Sequence, residues 1–127
     1  MTAILDHILV PAADKHAAAR FLAEVLGLEV SDESAGSPRG RFAVVRVGTV
    51  ALDFDDVETF SGQHYAFRVT DDEFDAILER VHAAGIQHSA DPLHRRRGEI
   101  NTLEGGRGAY FRSPDGHNLE ILSRPHS

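Results

Sequence analysis

Two kinds of apolar spacing divide this chain. Ile4–Val10 is a short run of apolar, partly β-branched residues and predicts a strand. From Asp14 to Leu26 the apolar positions Ala18, Phe21, Leu22, Val25 and Leu26 share one helical stripe. Asp14 is placed to cap that helix and Gly27 to end it. Leu28–Glu33 returns to a strand pattern, residues 34–40 are rich in turn formers, and Arg41–Val47 and Thr49–Asp55 read as a hairpin turning near Gly48. The same order then recurs. Gln63–Val69 is a strand. Asp71–Ala84 is a helix with Asp71 or Asp72 as its cap, Phe74, Ile77, Leu78 and Val81 as its stripe, and Gly85 at its end. A weak strand at Ile86–Ala90 and a polar loop at Asp91–Gly106 lead to a closing hairpin, Gly108–Arg112 and Asn118–Ser123. Its turn is Ser113-Pro114-Asp115-Gly116, where proline sets φ early and glycine accepts positive φ later. The pattern predicts an α+β fold of βαβββ twice over. One domain covers 1–127, with module one at 1–57 and module two at 62–127.

Side-chain parity assigns faces, because alternate residues of a strand share one. Ile8, Val10, Leu52, Phe54, Tyr65, Phe67, Val69, Phe111, Leu119 and Ile121 are expected to face the helices. The opposite face then receives His7, Leu9, Ala51, Asp53, His64, Ala66, Arg68, Tyr110, Arg112 and Glu120. So polar a sheet face is expected to line a cleft.

Composition narrows the setting without naming a chemistry. The 127 residues suffice for one compact domain or two small halves sharing a core, with 42% hydrophobic and 26% charged residues. The net charge of −7 disfavours nucleic-acid binding. With no cysteine, disulfides, thiolate zinc sites and thiol nucleophiles are excluded. No apolar run reaches the roughly 18 residues of a membrane span, and no basic leader precedes the first strand, so a cytoplasmic setting is expected.

His7, His64 and Glu120 occupy the three most strand-like contexts, ILDHILV, QHYAFRV and NLEILS, at nearly equal intervals. Two imidazoles and a carboxylate form a common ligand set for a divalent metal that keeps positions open for substrate. The alternative for each histidine is a hydrogen-bonded sheet residue, and for Glu120 a solvent-facing carboxylate.

The opening DHILV, the helix-ending FLAEVLGLEV, HYAFRV followed by HAAGI, and the closing GGRGAYFRSPDGHNLEIL together resemble the vicinal oxygen chelate superfamily. That group includes glyoxalase I, fosfomycin-modifying thiol transferases, extradiol dioxygenases and bleomycin-resistance proteins. The resemblance implies paired βαβββ modules whose curved mixed sheets form a metal-containing cleft. It implies His7, His64 and Glu120 as metal ligands, in agreement with parity, and Tyr110 as a donor at a substrate oxygen. Arg68 and Arg112 share the cleft face and are expected to bind an acidic substrate, or else to pair with Asp53. Asp53 is itself a substrate-binding candidate.

The resemblance also separates chemistries. Glyoxalase I adds a fourth ligand from the last strand of module one, where this chain shows Ala51, with Asp53 a shorter same-face substitute. Fosfomycin thiol transferases carry threonine where this chain has Leu9. Iron(II) suits the extradiol triad, although the additional catalytic histidine of those enzymes is not identifiable here. The leading expectation is a divalent-metal-dependent enzyme (Fe2+, Mn2+, Zn2+ or Ni2+) acting on a small substrate that chelates through vicinal oxygens, extradiol-dioxygenase-like. The alternatives are a lyase or thiol transferase at the same site, or a metal-free drug-binding protein. A homodimer is expected, with modules pairing within or between copies. His88 and His94 are candidates for supporting bases, His16, His82 and His126 for the surface, and His117 for a position outward or packed on the hairpin. The run Arg95–Arg97 is expected to be solvated, and the loop Leu93–Gly106 has the length of a lid.

Overall fold

The structure, a computed structural model, describes residues 2–34 and 36–123. His126 therefore lies outside the described residues. The chain divides into two compact units, Met1–Ser61 and Gly62–Ser127.

The first unit holds strand β1 (His7–Ala12), helix α1 (Lys15–Leu26) and strands β2 (Val30–Ser31), β3 (Ala43–Val47) and β4 (Val50–Asp56). Its four-stranded sheet has the order β1-β4-β3-β2. β1 and β4 run parallel, and the remaining pairs are antiparallel. β1 begins later than the apolar run suggested. Beyond Asp6, whose carbonyl accepts from the Ala51 amide at 2.9 Å, β4 gives way to the turn at Gly48 (φ 60°), so Ile4 and Leu5 have no ladder to join and stay exposed. The expected strand Leu28–Glu33 shrinks to Val30–Ser31. α1 is capped as expected: Asp14 accepts from the amides of His16 and Ala17, and Gly27 ends the helix in the left-handed region at φ 74°. Its buried face is Ala19, Leu22, Ala23 and Val25. They pack over β3 and β4, where Val44, Val45, Leu52 and Phe54 are buried.

The second unit holds β5 (His64–Arg68), α2 (Asp71–Ala83), a 3-10 turn (Leu103–Gly105), β6 (Arg107–Arg112) and β7 (Asn118–Ser123). Its three-stranded sheet has the order β5-β7-β6, with β5 parallel and β6 antiparallel to β7. The cap of α2 is Thr70, not Asp71 or Asp72. Thr70 and Glu73 form a reciprocal capping box, leaving the two aspartates in the first turn at the positive end of the helix. The weak strand at Ile86–Ala90 reduces to the single residue Ser89, which bridges to Tyr110 and to Arg97. Past Ser89 the chain turns on the Asp91 carboxylate, which accepts from the Arg95 and Arg96 amides, and this ends any ladder. Asn101 then returns to exchange both backbone hydrogen bonds with Gly108 at 2.9 Å. The expected lid is thus a folded segment laced along the edge of β6. The three arginines within it are exposed, as expected.

Parity holds for the buried faces: Val10, Leu52, Phe54, Phe67, Phe111, Leu119 and Ile121 are all buried. On the other face Ala51 and Asp53 keep the expected register with His7 and Leu9, but both are buried, β4 being an inner strand of its sheet. No described helix is long and apolar enough to cross a membrane.

Candidate functional site

β7 is the middle strand of the second unit, so its outward side chains can meet those of both neighbours. His64 lies opposite Asn118 on β5, and Tyr110 opposite Glu120 on β6. The His64 Nε2 atom stands 3.1 Å from Glu120 Oε1. The Tyr110 ring stacks near His64 with centroids 6.0 Å apart. Burial first, then the charge of Glu120 and a hydrogen bond to it, raise the Tyr110 phenol above its ordinary value. Tyr110 therefore stays a proton donor through neutral pH.

The tautomer of His64 follows from its other nitrogen. Nδ1 lies 3.0 Å from the Asn118 carbonyl oxygen, which can only accept. Nδ1 must carry the proton, so neutral His64 turns an unprotonated Nε2 toward a carboxylate oxygen. Two lone pairs facing each other at 3.1 Å repel unless a proton or a cation lies between them. His7 on β1 follows the same rule. Its Nδ1 is 2.8 Å from Asp6 Oδ2. That hydrogen bond, foremost among several causes, raises the His7 pKa. Anchoring of one ring nitrogen by a carbonyl or carboxylate is the usual preparation of a metal-binding histidine.

The structure brings His64, Glu120 and Tyr110 together in the second unit. His7 and Asp53 belong to the first. Among the described residues no group of three His, Cys, Asp or Glu side chains is assembled around one point. Arg68 and Arg112 are exposed and have no ion-pair partner among the described residues. Asp53 does not serve as their partner: its Oδ2 accepts from Ser34 Oγ at 2.9 Å, and its Oδ1 is buried without one.

Register also corrects the expected twin of Glu120. His7 pairs with Ala51 and Leu9 with Asp53 in the first unit; His64 pairs with Asn118 and Ala66 with Glu120 in the second. Ala51 therefore corresponds to Asn118, and Asp53 to Glu120. Counting along one strand hides this, because the correspondence is carried by the neighbouring strand.

His88 is not available as a base beside Glu120. It is buried and hydrogen-bonded through Nδ1 to Nε2 of His82 at 2.7 Å, while His82 itself is exposed, as expected. His94 donates from Nε2 to Asn118 Oδ1 at 2.7 Å and reaches the site only through that residue. Two supporting roles were not expected. Asp6 fell inside the predicted strand Ile4–Val10, next to His7 in sequence and so on the opposite parity, and no contact with that ring was assigned to it. His117 follows a turn; it is buried, and its Nδ1 accepts from the Gln63 amide at 2.9 Å, fixing β5 against β7 beside His64.

The family model described as Glyoxalase/Bleomycin resistance protein/Dioxygenase superfamily matches residues 4–121. The solved structure of oxidase ChaP-H2 is 52% identical, with 100% of this chain and 98% of that chain covered and a TM-score of 0.91. Oxidase ChaP-H1 is 50% identical at 99% and 99% coverage, with a TM-score of 0.86. Among curated proteins, glutathione transferase FosA of Serratia marcescens is 27% identical over 92% of this chain and 78% of its own length. Metallothiol transferase FosB of Shouchella clausii is 40% identical over 46% of this chain, a match spanning only 36% of its length. These relatives are enzymes.

Proposed function

The chain belongs to the glyoxalase/bleomycin resistance/dioxygenase superfamily, and from that premise we propose that it is a divalent-metal-dependent enzyme that consumes oxygen while oxidising a small acidic substrate bound through neighbouring oxygens. The observation carrying the metal is the His64–Glu120 contact, where a ring nitrogen and a carboxylate oxygen, both metal-ligand atoms, converge at 3.1 Å. A cation between them replaces repulsion with two coordination bonds. His7, anchored by Asp6, is the ligand from the first unit. The donor set of two imidazoles and one carboxylate suits iron(II) and leaves positions open for substrate. When bound, a divalent cation supplies Lewis-acid polarisation of substrate oxygens.

The chain's own residues do the rest. Tyr110, kept protonated by burial and by Glu120, donates a hydrogen bond to a substrate oxygen beside His64. Arg68 and Arg112 give the face uncompensated positive charge for an acidic group. Leu9, 58% exposed beside His7, is an apolar wall for the substrate body. A soluble homodimer in the cytoplasm completes the reading. Oxygen chemistry is favoured over thiol transfer by the full-length likeness to two oxidases and by Leu9, which has no hydroxyl to activate an epoxide.

Metal analysis of chain purified without chelator tests the first half, with about one ion per chain expected. Less than about a tenth of that, unchanged in His64→Ala, overturns it. Anaerobic reconstitution with iron(II), followed by oxygen uptake over a panel of catechols and hydroxyquinones, tests the second. A lyase or thiol transferase predicts metal without oxygen uptake, and a drug-binding protein predicts neither.

A further inference from the structure

Beside β6 lies a cavity of about 590 Å³, lined by apolar Ala84, Ile86 and Pro114 together with polar residues that include Ser89, Arg97 and Arg112. We propose that this cavity is a binding site for an oxyanion-bearing small molecule, a phosphoryl or carboxylate group held by Arg97 and Arg112. The inference goes beyond the function proposed above. It shares Arg112 with it but rests on neither the metal nor the reaction.

Three observations carry it. First, charge: the net charge of the chain is −7, yet no aspartate or glutamate lines this cavity. Neither arginine has an ion-pair partner among the described residues; Arg97 donates only from Nε to the His94 carbonyl, at 3.4 Å. Two guanidinium groups left with open donor forks match the geometry of an oxyanion. Second, an orphaned donor: Ser89 is 1% exposed, lines the cavity, and its Oγ has no partner in a structure where nearly every buried polar atom has one. Its backbone is fixed by two 2.8 Å bonds to Tyr110. Third, backbone: His94 is the one described non-glycine residue with positive φ, 57°. His94 lines the cavity, and its Nε2 is held by Asn118 Oδ1. The volume exceeds that of a bare ion and suits a metabolite whose anionic end meets the arginines.

The test uses the full chain without metal, titrated with inorganic phosphate in one arm and malonate in the other, followed by calorimetry and by the amide signals of Ser89 and Arg97. Saturable binding in the millimolar range is expected for at least one probe. It should weaken at least about tenfold in the double variant Arg97→Gln, Arg112→Gln and recover partly in Arg97→Lys, Arg112→Lys. Preference for phosphate assigns a phosphoryl ligand, and preference for malonate a carboxylate. No saturable binding of either probe, or binding unchanged in the glutamine double variant, overturns the proposal. Because no metal is present, that failure is distinct from failure of the oxidase reading.

Discussion

His117 shows how a residue that touches nothing reactive can set the chemistry of its neighbours. Its Nδ1 accepts from the Gln63 amide, the Asn118 amide donates to the Gln63 carbonyl at 2.8 Å, and His64 is thereby fixed opposite Asn118. His117→Ala leaves a backbone amide unsatisfied and is expected to cost about 1–3 kcal/mol in urea unfolding. It should also weaken metal binding by about 10–100-fold, as loss of a supporting contact does. His117→Gln, which keeps an acceptor, should recover much of both; equal loss in the two variants would argue against the positioning role. His88 supplies a second prediction. Burial first, and then the neighbouring His82, lower its pKa from 6.5. The unfolded chain therefore binds the proton more readily. The stability His88 contributes is complete above pH 6.5 and is lost as pH falls through its lower folded value. His88→Leu should flatten the difference in unfolding free energy between neutral and mildly acidic pH, and an unchanged slope would assign that pH dependence elsewhere. Sequence parity proposed His7, His64 and Glu120 because each lies inside a strand with an assignable face. The roles of Asp6 and His117 were not legible that way: one acts on its neighbour in sequence and the other follows a turn, and parity compares only residues along a strand.

Among the elements, the closing hairpin was the most legible because its turn chemistry leaves little freedom: Gly116 has φ 86° in the Ser113–Gly116 turn, and β7 begins at the expected residue. The extent of β1, the shortening of β2 and the loss of the strand after Gly85 were not legible. Strand length is set by where a partner stops, which no local pattern records. Gly62 illustrates this dependence on partners. A Cβ there would collide with the Gly116 carbonyl, so the start of β5 requires glycine because of a turn 54 positions later. Gly62→Ala should destabilise the fold by about 1–3 kcal/mol and broaden the amide signals of His64 and Asn118 together. A stable variant with unchanged spectra would show that the turn yields freely. Arg107 ties the elements on the other face: it pairs with Asp71 and Asp75 of α2 and lies 4.5 Å over the Phe74 ring. Arg107→Ala should cost about 1 kcal/mol, most of it from the cation–ring contact, since the aspartates are exposed. An unfolding midpoint insensitive to salt in the parent and equal in the variant would refute this.

At the scale of the whole molecule, the repeat distributes the proposed ligands unequally. Each unit contributes a parallel strand pair with a histidine on its edge strand, but the matching carboxylates differ. Glu120 is half-buried and faces His64, whereas Asp53 is buried and held by Ser34. The second unit thus brings two of the proposed ligands, His64 and Glu120, within 3.1 Å of each other, and His7 is the proposed ligand of the first. If one ion is shared, His7→Ala, His64→Ala and Glu120→Gln should each lower metal affinity by more than about 100-fold, and His7→Ala combined with His64→Ala should lose less than the sum. Zinc competition titrations with a chromogenic chelator measure this directly. An affinity unaffected by His7→Ala would confine the ion to the second unit and end its role as a three-ligand centre. With that dependence in hand, mixing His7→Ala chains with Glu120→Ala chains identifies the donor of His7. Within one chain every site in the mixture is damaged. Between two copies one site per mixed pair regains His7, His64 and Glu120, and metal binding returns in proportion to the mixed species.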